Sequence, residues 1–353
     1  MGGLGEWRSI GFAGGFGLGN MTTDFTALEL CAGAGGQALG LEQAGFAHAA
    51  LVELDSHCCA SLRANRPAWR VVQADLNEVD PEPFKGVDLV AAGLPCPPFS
   101  IAGRQLGAGD SRNLFPAALN IISKVRPKAI LFENVKGLFA GSFAEYREWL
   151  AHQLVSMGYA PEWRLLNASD YGVPQLRPRA VMVAMSDRYS SFFSWPMGEG
   201  APASAVGDVL HDLMSARGWK GVEKWRGQAN KIAPTIVGGS HKHGGPDLGP
   251  TRAKRAWREL GVDGMGVANT PPDPDFEGLP RLTVRMVARL QGFPDDWVFV
   301  GGKTAQYRQV GNAFPPPVAR AVAAQIKRAL CEFPPRAGNA TGVQLLPRPR
   351  KAS

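Results

Sequence analysis

Short, largely apolar runs recur through the first half of the chain. Ala27 to Leu30, Ala49 to Val52, Val71 to Ala74, Val87 to Gly93 and Ala129 to Phe132 each have strand length. Runs of this kind predict strands buried on both faces of a sheet. Glu53, Asp75 and Glu133 follow three of them directly. Helical segments are predicted at Gln37 to about Ala44, around Cys58 and Cys59, and from Phe143 to Met157. Tyr159 to Leu166 and Ala180 to Met185 predict two further strands. Strand and helix in alternation predict an α/β fold with a doubly wound, Rossmann-like, mostly parallel sheet.

From about residue 190 to 280 the rhythm is lost, and Gly, Pro, Trp and basic residues dominate. That composition predicts a small, irregular second domain. Pattern returns at Leu282 to Leu290 and at Val318 to Leu330, a helix that follows Pro315-Pro316-Pro317, as prolines at a helix start allow. The expected organisation is a principal domain from residues 25–189 and 281–332, interrupted by the second domain at 190–280. Residues 1–24, with Met21 as an alternative start, and the Pro- and Arg-containing tail 333–353 are expected to lack fixed structure.

A length of 353 residues suits about two domains. Hydrophobic content of 45% and charged content of 20% are ordinary for a soluble protein. No apolar run reaches the roughly 18 residues that span a bilayer, and Met1 to Asn20 lacks a charged signal-peptide start. A cytoplasmic location is expected. The five cysteines form no CxxC pair and have no metal-ligand spacing, so free thiols and no metal are expected. His241 and His243 flank Lys242 without further ligands nearby.

The net charge of +7 points to a polyanionic partner. Ten cations lie between Arg217 and Arg258, opposed within that stretch only by Glu223 and Asp247. Trp219, Trp225 and several glycines interleave with them, a composition that reads as a nucleic-acid surface.

Two loops carry candidate chemistry. Gly33-Ala34-Gly35-Gly36-Gln37-Ala38 follows a strand, opens a helix and fits G-x-G-x-x-A, with Glu53 twenty residues beyond Gly33. Such a turn brings a ligand onto the backbone and pairs a carboxylate with a ribose. Asp75, at the end of the third strand, is placed for an adenine amino group. NAD, FAD and S-adenosylmethionine all remain compatible with these residues. The second loop, Pro95-Cys96-Pro97-Pro98-Phe99-Ser100, holds one thiol between stiff prolines at the end of a buried strand. With Glu133 at the end of the next strand, it suggests covalent catalysis assisted by an acid.

Taken in order, these blocks resemble the cytosine-C5 DNA methyltransferases of bacterial restriction–modification systems. The matching residues are Leu28 to Gly36, Glu53-Leu54-Asp55, Asp75-Leu76, Pro95 to Ser100, Glu133-Asn134-Val135, Gln175-Leu176-Arg177-Pro178-Arg179, Leu282 to Pro294, and Gln309 to Ala313. The resemblance implies an S-adenosylmethionine-dependent methyltransferase fold. It implies that Cys96 adds to cytosine C6 and that Glu133 binds the N3/N4 edge and lends a proton. Arg179, supported by Arg177, would bind O2 and hold Glu133, while Asn134 holds the loop. On the cofactor side it implies Cys31, Gly33, Gly35, Gly36, Glu53, Leu54, Asp75, Leu76, Pro95 and Asn312. Cys31 and Leu54 stand where the family often has aromatic residues.

The resemblance further implies double-stranded DNA as substrate, a flipped target base, a monomer, and a cognate restriction endonuclease as functional partner. Ser100, Arg104 and Gln105 fall in the loop that would close over DNA. Residues 190–280 become the target recognition domain, with Gly238-Gly239-Ser240 and Thr251-Arg252-Ala253-Lys254 as groove-facing loops. The stretch from Gly244 to Pro250 is similar to that of enzymes modifying GCCGGC-type sites. Two rival readings stand beside this one. A tRNA cytosine-C5 methyltransferase shares the chemistry, but the basic insert favours duplex DNA. An NAD-dependent dehydrogenase would leave Cys96, Glu133 and the paired arginines unexplained.

Overall fold

The computed structural model describes residues 25–95, 113–198, 200, 203–239 and 245–332. The expectations for residues 1–24 and 333–353 therefore lie outside the described residues.

The predicted strands assemble into one seven-stranded sheet. These are β1 (Phe25–Leu30), β2 (Phe46–Glu53), β3 (Val71–Gln73), β4 (Leu89–Gly93), β5 (Ala129–Val135), β6 (Tyr159–Asn167) and β7 (Pro178–Ser186). Their order is β3-β2-β1-β4-β5-β7-β6. The pairings from β3 through β5 are parallel, whereas β7 runs antiparallel to both β5 and β6. Chain order reverses between β1 and β4. In a doubly wound sheet this is where a ligand crevice opens beyond the strand ends.

Helices cover both faces. The principal-domain helices are α1 (Gly36–Gln43), α2 (Ser56–Asn65), α3 (Phe115–Val125), α4 (Ala144–Ser156) and the short α5 (Asp187–Ser190). Strand alternation sorts the core into two layers. Leu28, Leu30, Val90, Ile130 and Phe132 meet Phe115, Ile122 and Leu150 of α3 and α4. Ala27, Leu89, Leu131, Val181 and Val183 meet Leu41 of α1 and Val318, Val322 and Ile326 of the last helix.

The interval expected to be irregular carries α6 (Val206–Ser215), α7 (Val222–Gln228) and α8 (Thr251–Glu259), followed by α9 (Val284–Leu290), α10 (Lys303–Asn312) and α11 (Pro316–Glu332). Trp219 and Trp225, read from sequence as part of a nucleic-acid surface, are buried in its core. They pack with Leu210, Trp257, Val287 and Tyr307 in an apolar cluster that runs from α6 to α10 and reaches Ala34 and Leu39. The apparent excess of positive charge is also partly local. Asp208, Asp273 and Asp275, distant in sequence, pair with Arg226, Arg217 and Lys220 at 2.8, 2.5 and 2.5 Å. No helix among the described residues is long and apolar enough to cross a membrane.

One buried acid stands out in the sheet. Glu29 of β1, between Leu51 and Ala91 in register, is 1% exposed. The Ala38 backbone approaches its carboxyl, but neither oxygen has a well-formed hydrogen bond. Burial raises its pKa well above the carboxylate range. The native state therefore retains a proton that the unfolded chain releases, so stability contributed at low pH is lost as pH rises above the ordinary glutamate pKa. Replacing Glu29→Gln is expected to flatten that decline, measured as melting temperature from pH 4.5 to 8. Parallel profiles for the two proteins would contradict it.

Candidate active site

The carboxyl ends of β1, β2, β4 and β5 converge on one edge of the sheet, and the register explains which side chains meet there. Glu133 on β5 is opposite Gly93 of β4 on one side and Val181 of β7 on the other. Arg179 lies two residues from Val181 on β7, so it shares a face with Glu133 as a diagonal neighbour. Its guanidinium Nε is 2.7 Å from Glu133 Oε1, and both side chains are about nine-tenths buried. Gly93 borders this pair: a Cβ there would stand at ordinary contact distance, 3.5 Å from the Cys31 carbonyl and 3.9 Å from Glu133 Oε2. Burial raises the Glu133 pKa, while Arg179 and then Arg177 pull against the rise. The result is a carboxyl that holds its proton more readily than an exposed glutamate.

Asn134 turns to the other side of β5. Its amide donates to the Leu94 carbonyl at 3.3 Å, and its Oδ1 accepts from the Val135 N–H at 2.9 Å. It thereby ties the exit of β4 to β5. Pro95 is exposed at that exit. Cys96, Ser100, Arg104 and Gln105 lie outside the described residues, as does Ser240.

Arg177 does not join this pair in the way the sequence suggested. It is 0% exposed, and both terminal nitrogens are committed. Nη1 donates to the Ile236 carbonyl at 2.6 Å, and Nη2 donates to the Gly311 and Ala313 carbonyls at 2.7 and 2.9 Å. Burial holds its pKa well below the usual arginine range, with Arg179 adding repulsion. The expected support of Arg179 takes the form of a clamp between the entry to β7, the segment at 236 and the α10–α11 junction. Gln175 and Gln291 complete it. Gln175 accepts from the Ile236 N–H at 2.9 Å and hydrogen-bonds Gln291, whose amide donates to Val310 and Ala313 carbonyls at 2.9 and 3.2 Å.

The glycine turn occupies the crevice beside β1. Gly33 and Gly35 have φ of 55° and 89°, and Cys31 shares the left-handed region at φ 54°. Gly36 is required for a different reason: a Cβ there would collide with the Phe314 carbonyl and Ala313 of the α10–α11 junction. Trp297, which sequence reasoning missed, donates from Nε1 to the Ala34 carbonyl at 3.1 Å and braces the turn. Glu53 is held at the end of β2 by backbone N–H groups of Gly33, Leu54 and Asp55 at 2.7, 2.9 and 2.8 Å. Burial nevertheless raises its pKa, with these amides opposing.

Leu54 is 63% exposed at the rim of the crevice. Asp75 accepts from Asn77 N–H and Nδ2 at 2.9 and 2.8 Å through one oxygen. Leu76 is buried in the core beneath it, with almost no surface to offer a ligand. Asn312 is exposed at the end of α10, and its amide donates to the Gly239 carbonyl at 3.2 Å.

Two groove-facing expectations change. Gly238 is buried against α10, where a Cβ would meet Asn312 Oδ1 at 2.6 Å and the Arg308 carbonyl at 2.7 Å. Its absent side chain serves close packing. Thr251 to Lys254 is the first turn of α8 rather than a loop, and Lys254 is held by Asp247 at 3.1 Å.

The exit of β4 at Pro95, a buried Glu–Arg pair and a glycine turn thus share one sheet edge. The model for C-5 cytosine-specific DNA methylase matches residues 25–328. The chain belongs to that family. It is a DNA cytosine-5-methyltransferase by this membership. It is 56% identical over 309 residues to the type II methyltransferase M.NaeI of Lentzea aerocolonigenes, covering 86% of this chain and 75% of that one. To M.NgoMIV of Neisseria gonorrhoeae it is 50% identical, covering 87% and 98%. Among solved structures, a Dnmt2 mutant from Spodoptera frugiperda shares the fold, with a TM-score of 0.60 at 18% identity over 87% of this chain and 99% of that one.

The crevice of this methylase has features that suit a nucleoside-type methyl donor. The start of α1 has no side-chain cap and no acid in its first turn, so its N–H groups remain available to an anionic end. Exposed Leu54 and the carboxylates of Glu53 and Asp75 stand further along the same edge.

Arg177→Ala is expected to cost about 3 kcal/mol or more of stability, because it strands three buried carbonyls that accept from a charged group. Urea unfolding measures this. Arg177→Lys should recover only part, since one ammonium cannot span a planar three-carbonyl site. Unchanged stability in the alanine variant would contradict the clamp.

Proposed function

We propose that this methylase transfers a methyl group from S-adenosylmethionine to C5 of a flipped-out cytosine in a specific duplex DNA sequence. It acts as a monomer in the cytoplasm, at the nucleoid when bound to DNA, and protects its sites alongside a cognate restriction endonuclease. The observation that carries this reading is the buried Glu133–Arg179 pair at the carboxyl end of β5, beside Gly93 of β4.

A cytosine within a duplex must leave the stack to reach a carboxyl buried in this way, at an unstacking cost of a few kcal/mol. Arg179 holds Glu133 in place and offers a donor to the base O2. Glu133 accepts from N4 and delivers a proton to N3 as the Cys96 thiolate adds to C6. The ring is then an enamine that is nucleophilic at C5, which cytosine itself is not. After transfer, a base such as water takes the C5 proton, Cys96 leaves C6 as the thiolate, and N3 returns its proton to Glu133, which restores the aromatic ring. The raised pKa of Glu133 suits this role, because the acid form is the reactive one.

S-adenosylmethionine supplies an electrophilic methyl group when bound. Gly33, Gly35, Gly36 and the α1 N–H groups would face its methionine end, with Asn312 and Pro95 near it. Glu53 would take the ribose hydroxyls, Leu54 the adenine face and Asp75 the adenine amino group. The segment at 244–250 supports a GCCGGC-type recognition sequence through its resemblance to enzymes modifying such sites.

Base-resolution mapping of methylcytosine after expression in a host without cytosine methylation tests substrate, position and sequence together. C5-methylcytosine at one recurring duplex sequence is expected. Its absence from DNA, or its presence in tRNA instead, would overturn the reading. Cys96→Ala is expected to abolish the mark. Single-turnover methyl transfer should fall as pH rises through the raised Glu133 pKa. Glu133→Gln should lose that limb and slow transfer by about 10²- to 10⁴-fold.

A further inference from the structure

The cations of the second lobe fall into two groups. Most are neutralised in place. Arg217, Lys220 and Arg226 pair with aspartates, Arg281 pairs with Asp263 at 2.7 Å, and Arg285 reaches Asp295 at 3.0 Å. Arg289 binds both Asp212 and Asp295. These side chains have little charge left for a partner.

The helix α8 differs. Trp257 and Leu260 are buried and fix which side faces the core. The outward side presents Arg252, Arg255 and Arg258, all exposed. None of the three makes an ion pair or hydrogen bond among the described residues. Arg258 has only a longer-range attraction to Asp263, whose carboxylate is already held by Arg281. The spacing of three places them as successive neighbours along one ridge. The first turn has no acid and no side-chain cap, so the helix dipole adds to the positive field.

The ridge is also joined to the catalytic edge. At Gly249, just before α8, a Cβ would stand 3.4 Å from Ala253 and 3.8 Å from Val237. Ile236 is pinned by Arg177, and Gly238 packs against Gly311 and Asn312. A continuous packed path therefore runs from β7 to the first turn of α8.

We propose that Arg252, Arg255 and Arg258 form a phosphate-contacting ridge that seats one strand of the duplex, positioning the DNA without reading its bases. This rests on duplex DNA being the substrate. The ridge spans about 9 Å at 1.5 Å per residue. Phosphates recur about every 3.4 Å of helix axis along each strand, so three fall within its reach. Phosphate contacts set register and orientation, and they act through charge.

The test measures affinity of the full chain for a 30-base-pair duplex of scrambled sequence between 50 and 200 mM NaCl. Three proteins are compared: wild type, R252Q/R255Q/R258Q and R252K/R255K/R258K. Counterion release predicts a salt slope shallower by about 2.7 in the glutamine variant, so raising the salt weakens its binding about 40-fold less than it weakens wild type. The lysine variant should keep the wild-type slope, and Arg255→Gln alone should lower it by about 0.9. An unmoved slope in the glutamine variants would overturn the assignment. So would a retained slope with relaxed discrimination among duplexes carrying single base changes, which marks base reading. Methyl transfer by wild type to genomic DNA is followed in parallel. Transfer with an unmoved slope sinks the ridge alone, whereas no transfer to DNA sinks the functional reading.

Discussion

The guanidinium of Arg177, wholly buried and spread over three backbone carbonyls, is the constraint on which the site depends. A cation in such a position is costly unless every strong acceptor around it is used. Using them joins three chain segments that lie far apart in sequence: the entry to β7, the stretch at 236, and the junction at 311–313. Two residues on, Arg179 stands on the face of β7 that meets Glu133, as its diagonal neighbour. The α10–α11 junction is thereby held against Gly36 at the cofactor crevice, and the segment that follows Ile236 leads toward α8. Glycine turn, buried acid and second lobe are joined through one side chain.

At the catalytic edge, two opposing effects set the state of Glu133. Burial favours the neutral acid, while Arg179 favours the carboxylate, and burial has the larger influence. A group poised in this way can bind a base edge as acceptor and still give up a proton within the same step.

Much of the principal domain was legible from sequence because parallel strands are buried on both faces and read as apolar runs. The antiparallel turn of β7 was not, since strand direction leaves no local mark. The second lobe was misread for a physical reason. Its tryptophans and glycines look like loop or surface residues within a local window, yet Trp219, Trp225 and Trp257 build a core around short helices. Its charge was legible only in part, because Asp208, Asp273 and Asp275 reach Arg226, Arg217 and Lys220 only through folding. Within Gln175-Leu176-Arg177-Pro178-Arg179, sequence could not separate a buried clamp from a catalytic arginine. The two residues have the same chemistry and differ in what the fold places around them.

The proposed chemistry turns on a bond between the Cys96 thiolate and cytosine C6 beside Glu133. A duplex carrying 5-fluorocytosine at the methylated position tests it most directly, because fluorine cannot leave as a proton and the adduct should persist. With S-adenosylmethionine present, the account predicts a denaturant-stable protein–DNA complex whose peptide map places the cross-link on Cys96, and no such complex with Cys96→Ala. Methylation of ordinary cytosine at C5 without a trapped complex, or a complex that survives in Cys96→Ala, would contradict it.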